Sequence, residues 1–330
     1  MRRLLLRSLR SAGRDAHLLL DPIRLGLSVP QALALLLVRR PTAIFTTGGY
    51  VAIPTMLVAR LLRIPTVLWD GNVIPGRSVR ATARLAGAVA VTDPRTCTAL
   101  AARRCYETGT PIRDPRAIDQ EAAREQLGIA PRERLLLVFG GSQAVRRFNA
   151  AVTEALPRLV ERCTVLHVTG EDGYADALAT REELPEERRA RYRPVPFLVD
   201  DMTAALASAD LVVGRAGAST LAECAAFAVP LICVPYPHAG GHQRANAEAY
   251  AATGAARLVE DAAFDAVALL EASRLLEDPA AHLAMSAAAR SAGRPGAADA
   301  VAALVVAAAE RRPWPEPAEI AALAAGTRVR

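Results

Sequence analysis

The stretch from Arg215 to Ala247, RAGASTLAECAAFAVPLICVPYPHAGGHQRANA, constrains the fold of this chain more than any other. The apolar run Leu211-Val212-Val213 ends at Arg215-Ala216-Gly217-Ala218. Ser219 and Thr220 then stand where helix N-caps usually stand, because hydroxyl oxygens accept the orphan N–H groups of a first turn. A second run, Leu231-Ile232-Cys233-Val234-Pro235, ends at His238-Ala239-Gly240-Gly241, and a helix opens at His242-Gln243. In a parallel α/β sheet, two consecutive strand ends of this kind open onto one crevice, the usual place for a ligand. A helix N-terminus carries free N–H donors and about half a positive charge, which suits a phosphate. Glu223, one turn after Thr220, is spaced to hydrogen-bond a ribose diol. The segment by itself points to a nucleotide-sugar site.

The same alternation extends through the chain. In a first half, Thr42–Thr47 reads as a strand ending in Gly48-Gly49-Tyr50, with a helix over Ile53–Leu62. Thr66–Trp69 is a second strand ending in Asp70-Gly71-Asn72, Arg77–Leu85 a helix and Ala88–Thr92 a third strand. The character changes at Tyr106–Arg113, before an acidic-basic helix over Ile118–Gln126. The second half begins with Leu135–Phe139, a continuous apolar run followed by Gly140-Gly141-Ser142-Gln143 and a helix over Ala144–Glu161, a Rossmann-like βα unit. Strands at Val165–Val168, Tyr192–Val195, Leu211–Val213 and Leu231–Val234 alternate with helices, which predicts a doubly wound parallel sheet. Helices over Ala263–Leu276, Ala280–Ala292 and Ala297–Arg311 follow, with a short one at Pro317–Ala325 beyond Pro313 and Pro315. A chain of 330 residues suits two domains of ordinary size. The expected division is 1–114, with 312–330 packing back on it, and 115–311. A Rossmann-like half normally opens with a strand and its Gly-rich turn. This chain opens with an Arg-rich helix instead, so the first βα unit is read as missing, either from the protein or because the start codon is set too far downstream.

Charge is unevenly spread. Residues 1–40 hold eight arginines against Asp15 and Asp21, which is the whole net charge of +6. A basic, leucine-rich helical segment of this kind suits an anionic membrane surface. Its longest apolar stretch, Leu25–Val38, contains Ser28, Pro30 and Gln31 and is too short for the roughly 20 residues of a span. Arg7, Arg10 and Arg14 interrupt any signal-peptide core. The basic segment lacks interleaved aromatics and any nucleic-acid-binding motif, so no nucleic-acid partner is expected. Cys97, Cys105, Cys163, Cys224 and Cys233 show neither CxxC pairing nor zinc-ligand spacing and read as buried small hydrophobes in a reducing compartment. No DxD or His/Asp cluster suggests a metal site, and no cofactor is expected.

Seven segments, TTGGYVAIP (46–54), NVIPG (72–76), TGTPIR (108–113), FGGSQAVRRFN (139–149), FLVDDM (197–202), RAGASTLAE (215–223) and PYPHAGGHQRANA (235–247), closely resemble the MurG family of UDP-N-acetylglucosamine:lipid I N-acetylglucosaminyltransferases, in that family's order and spacing. The resemblance implies a GT-B fold, two Rossmann-like domains facing across a cleft, with the donor on the C-terminal domain and the lipid acceptor beside the N-terminal one. It implies that Val199 offers its backbone to uracil and that Glu223 holds the ribose hydroxyls. Ser142 and the turn Ala218, Ser219, Thr220, Leu221, Ala222 would cradle the diphosphate. Gln243 would reach the sugar hydroxyls, Arg113 the diphosphate, and Asn72 the GlcNAc or acceptor side. Gly48, Gly49 and Tyr50 would lie on the acceptor side. The family's GGTGGH turn has no counterpart here, and Trp69-Asp70-Gly71 replaces its His-Glu-Gln. Asp70 keeps a carboxylate and is the candidate base. A guanidinium with helix-end N–H groups stabilises a departing diphosphate without a metal. The implied reaction is inverting transfer of GlcNAc from UDP-GlcNAc to the MurNAc C4 hydroxyl of lipid I, at the cytoplasmic face of the bacterial plasma membrane. The alternatives are a diacylglycerol glycosyltransferase of the same superfamily and a non-catalytic nucleotide-sugar-binding remnant.

Overall fold

A computed structural model describes residues 17–140, 145–198 and 201–327. The chain divides into two compact units, one formed by residues up to Pro111 together with those from Gly296 onward, the other by Ile112–Pro295.

The first unit opens with helix α1 (His17–Arg39), followed by β1 (Ile44–Thr46), α2 (Ala52–Leu61), β2 (Thr66–Asp70), α3 (Arg77–Ala83), β3 (Ala88–Val91), α4 (Pro94–Ala99) and β4 (Cys105–Glu107). Its four strands pair in parallel in the order β1-β2-β3-β4, with Val67 opposite Ala88 and Val91 opposite Glu107. Every residue of β3 is buried, because a parallel strand is covered by helices on both faces and so needs apolar residues at every position. The helix α4 and strand β4 went unread in the sequence. Each is short, and neither has the length or periodicity that marks an element.

The second unit holds α5 (Gln120–Gln126), β5 (Leu135–Phe139), α6 (Val145–Arg162), β6 (Thr164–Val168), α7 (Glu171–Glu182), α8 (Glu186–Arg189), β7 (Tyr192–Val195), α9 (Met202–Ser208), β8 (Leu211–Gly214), α10 (Ala218–Ala226), β9 (Leu231–Cys233), α11 (His242–Ala251), β10 (Ala256–Leu258), α12 (Ala266–Ser273) and α13 (Pro279–Ala292). Six parallel strands run β10-β9-β8-β5-β6-β7. From β5 the chain winds outward through β6 to β7, then returns to the other side of β5 at β8. The order therefore reverses between β5 and β8, the position at which a doubly wound sheet opens a crevice at its C-terminal edge. The amphipathic α6 closes one face with Phe148, Val152, Leu156 and Leu159, all fully buried among residues of β5, β6 and β8.

Two last helices, α14 (Ala297–Ala309) and α15 (Pro317–Ala324), return to the first unit. There Ala300, Val301, Leu304, Ala308 and Ile320 pack with Val67, Ala88, Ala90 and Tyr106. The Tyr106 hydroxyl donates to the Pro315 carbonyl at 3.1 Å. The boundary expected at 311/312 thus moves to 295/296, because the Ala/Val/Leu face of α14 covers the first sheet. The stretch Pro279–Ala309 is apolar enough by length and composition to cross a membrane. It is nonetheless two helices, broken at Gly293–Gly296.

Cys97 and Cys105 are joined in a disulfide with their Cα atoms 5.8 Å apart, which corrects the reading of all five cysteines as free. The helix α4 and strand β4 run back beside each other and bring two residues eight apart within bonding range. Cys163, Cys224 and Cys233 are free and buried, as read.

Leu304→Ala should destabilise the protein by roughly 2–5 kcal/mol, since it empties a fully buried position under β2. Urea unfolding followed by tryptophan fluorescence reports it, as Trp69 and Trp314 both pack against that cluster.

Candidate functional site

Parallel pairing brings the proposed donor residues to one edge of the second unit. The turns after β8 and β9 lead into α10 and α11, and both helices start without a side-chain cap. The N-cap of α10 is Gly217, so Ser219 and Thr220 lie in the first helical turn and do not cap it, a correction to the sequence reading. A glycine N-cap contributes no oxygen of its own, so the first-turn amides stay available to an outside anion. Gly241 caps α11 in the left-handed region at φ 80°, which a residue with a Cβ adopts only under strain. That turn lets Gln243 fold back, and its Oε1 accepts from the Tyr236 amide at 2.9 Å. The Gln243 NH2 group makes no hydrogen bond among the described residues and is a donor at the site edge.

Glu223 lies half-buried on α10, one turn beyond the first-turn amides. Burial pushes its carboxyl pKa upward, and the positive charge of Arg113 partly opposes this. Arg113, Ala218–Glu223 and Gln243 therefore belong to one unit, and Arg113 acts electrostatically on Glu223. Ser142 and Val199 lie outside the described residues.

Beside these groups is a clamp that sequence reasoning missed. Arg215, at the end of β8, is buried. Its guanidinium lies 4.7 Å from the Phe148 ring centre and 5.4 Å from that of Tyr236. It donates to Asp261 at 2.5 Å and to the carbonyls of Val234 at 3.2 Å and Pro235 at 3.5 Å. Asp261 also receives Arg147 at 3.2 Å. One guanidinium thus ties the β8 and β9 turns to α6 and to the segment after β10. Arg215 was visible in the sequence as a basic residue closing an apolar strand, but its partners are up to 67 residues away and left no local signal. Arg147, Arg215, Tyr236 and Asp261 line a cavity of about 1180 Å3, together with Asn149, Thr169, Phe197 and Met202. The cavity lies beside Ala218–Glu223 and Gln243, which do not line it.

Two histidines of this unit sit in different surroundings. His167 is buried, its Nδ1 3.0 Å from the Tyr192 hydroxyl, and burial pushes its pKa down to about 3. His238 is exposed and stacks edge-on with Tyr236 at 5.4 Å.

In the first unit, the corresponding edge carries Gly48, Gly49 and Tyr50 after β1 and Asp70 and Asn72 at the end of β2. Gly48 has φ 82°, and a Cβ there would meet Val79 at 2.9 Å, so only glycine fits. Asp70 is buried, and its Oδ1 accepts from the Asn72 amide at 3.2 Å and from the Asn72 side chain at 3.0 Å. Thr96 donates to the Asn72 carbonyl at 3.1 Å, and Trp69 Nε1 donates to the Gly109 carbonyl at 3.0 Å. Asp70 therefore orients Asn72, and Trp69 ties β2 to the turn beyond β4.

The models of the N- and C-terminal domains of glycosyltransferase family 28 match residues 6–91 and 135–301. Among curated relatives, a protein of Carboxydothermus hydrogenoformans named UDP-N-acetylglucosamine–N-acetylmuramyl-(pentapeptide) pyrophosphoryl-undecaprenol N-acetylglucosamine transferase is 37% identical over 68% of this chain and 60% of its own length. Its namesake in Moorella thermoacetica is 38% identical over 79% of this chain and 72% of its own. That of Anaeromyxobacter sp. is 39% identical over 84% and 72%. The chain thus spans 60% of the first of these proteins and 72% of the other two. The crystal structure of Acinetobacter baumannii MurG superposes with a TM-score of 0.72 at 27% identity, over 87% of this chain and 79% of that one. A UDP-N-acetylglucosamine 2-epimerase structure from Listeria monocytogenes, at 15% identity and a TM-score of 0.68, shares the fold.

Glu223→Gln should make the protein more stable at pH 7, with the gain vanishing as the pH is lowered toward about 4. The folded carboxyl titrates above its unfolded value, so stability is greatest with the group protonated and falls as pH rises through the folded pKa. Urea unfolding of both proteins across that range measures it.

Proposed function

This chain belongs to glycosyltransferase family 28, and on that footing we propose that it transfers GlcNAc from UDP-GlcNAc to the MurNAc C4 hydroxyl of lipid I, forming lipid II. The observation that carries the reading is the meeting of uncapped α10 amides, Glu223, Arg113 and the Gln243 amide within one unit, a donor set matched to a nucleoside diphosphate-sugar. The α10 amides and Arg113 face the diphosphate. They neutralise the charge that grows on UDP as the bond from the anomeric carbon to the β-phosphate breaks. Glu223 accepts from the ribose hydroxyls, and Gln243 donates to the sugar. The C4 hydroxyl of the acceptor attacks the anomeric carbon from the opposite face, inverting it, and its proton passes to Asp70. Asn72, held by Asp70, positions the sugar or acceptor. Arg215 is a positioning residue that fixes the β8 and β9 turns on which the donor groups sit.

The acceptor's polyprenyl chain is membrane-bound, and the first unit carries a surface suited to it. Leu27, Leu35, Leu37 and Val38 on α1 and Leu57 and Leu61 on the adjacent α2 are exposed, with Arg39, Arg40 and Arg60 among them. Clustered exposed leucines bordered by arginines favour an anionic lipid surface. The enzyme is read as peripheral on the cytoplasmic face. The arginines of residues 1–16 that began this reading lie outside the described residues.

Transfer of radiolabelled GlcNAc to a short-chain lipid I analogue, with diacylglycerol as the rival acceptor, tests the assignment. Lipid I should be the acceptor used. Asp70→Asn should lower kcat by about 10²–10⁴-fold with UDP affinity unchanged. Glu223→Ala should weaken UDP binding by roughly 1–3 kcal/mol in calorimetry. Labelled diacylglycerol, or UDP binding with no transfer to either acceptor, would overturn the lipid I reading.

A further inference from the structure

We propose that the first unit contains a second anion site, a pocket for a phosphate-bearing group, at the sheet edge opposite Gly48 and Asn72. A cavity of about 210 Å3 opens there, lined by Arg60, Arg63, Arg84, Arg103 and Arg104 around Thr66 and Gly87. These residues come from the chain just before β2, β3 and β4, so the parallel sheet collects them at its N-terminal edge. At roughly 30 Å3 per water, the space takes a phosphate with several waters.

Three observations separate this cluster from an ordinary basic surface. First, none of the five guanidinium groups makes an ion pair or a side-chain hydrogen bond among the described residues, and no acidic side chain lines the cavity. Arginines at helix C-termini usually serve the last carbonyls. Arg60 and Arg84 stand at the ends of α2 and α3 without donating to them, and Arg103 and Arg104 come from a loop. Five like charges around one hollow repel each other, and a multivalent anion between them reverses the sign of that interaction. Second, Arg63 has φ 55°, a left-handed conformation that glycine adopts freely and arginine only with strain. Third, the Cys97–Cys105 disulfide closes the loop that carries Arg103 and Arg104, limiting its freedom before any ligand arrives. The backbone donor nearest the hollow, the Gly87 amide, is already bonded to the Thr66 carbonyl at 2.9 Å. The guanidinium forks are therefore the recognition groups, and their planar paired donors match phosphate oxygens.

The phosphate has two sources, a lipid headgroup or free anion in solution. Only the headgroup source rests on the membrane association proposed above; the pocket itself does not. The experiment fills the donor site with saturating UDP, then titrates inorganic phosphate by calorimetry. In parallel it measures co-sedimentation with phosphatidylcholine vesicles made with and without phosphatidylglycerol. The full chain is compared with Arg84→Gln/Arg104→Gln and with Arg63→Gly. The parent should bind phosphate, and both variants should bind it roughly tenfold or more weakly, the loss expected for charge-assisted hydrogen bonds. Arg63→Gly should melt no lower than the parent, since glycine relieves the left-handed backbone, so a folding defect cannot account for its loss. If phosphatidylglycerol-dependent sedimentation falls together with phosphate binding, the site takes a lipid headgroup. If phosphate binding alone falls, it takes a free anion. Phosphate binding that is absent in the parent, or equal in all three proteins, would overturn the proposal. UDP affinity should be unchanged throughout; a protein that fails to bind UDP would instead count against the donor-site reading.

Discussion

Parallel strand pairing is the constraint on which the rest of this structure depends. A parallel ladder requires a crossover between consecutive strands, so every strand in a unit enters at one edge and leaves at the other. All C-terminal turns, and the helix N-termini that follow them, collect at one edge. All helix C-termini and strand entries collect at the other. In the second unit this places the uncapped start of α10, Glu223 and the turn of Gln243 beside each other. In the first it places Gly48, Asp70 and Asn72 at one edge and five arginines at the opposite one. Chemical polarity across each sheet follows from backbone hydrogen bonding before any side chain is considered.

Within that frame the two edges are held differently. The donor edge is held by a buried cation. Arg215 packs against the rings of Phe148 and Tyr236 and shares Asp261 with Arg147, so its charge is compensated. Removing one partner from such a pair leaves a charge in a poorly solvated place, which is why these groups act as a unit. The acceptor edge uses a smaller device. A single aspartate fixes the asparagine two residues on, and an indole N–H ties β2 to the next turn but one. Both edges show polar groups spent on orientation, which leaves a few donors pointing outward.

Much of this was legible in the sequence because its signals are local. Leu135–Phe139 and Tyr192–Val195 have the bounds read from their residues, since a short run between polar segments specifies a strand. The glycine turns at Gly48-Gly49 and Gly240-Gly241 announced strand ends because only glycine accepts their left-handed backbone without strain. The two short elements α4 and β4, the edge strand β10 and the N-cap of α10 were misread or passed over. In each case three to six residues carry too little pattern, or glycine supplies a cap that leaves no side-chain mark.

The sequence alone determined the order of most strands and helices, the family resemblance, and which residue types stand at the strand ends, since all of these are encoded within a few residues of one another. Tertiary structure decided what depends on long separations. It assigned α14 and α15 to the first unit, joined Cys97 to Cys105, gave Arg215 its aromatic and acidic partners, and gathered the five arginines around one hollow. The physical reason is that burial and charge pairing are properties of neighbours in space. A chain displays its neighbours in sequence and acquires the others only when its sheets close.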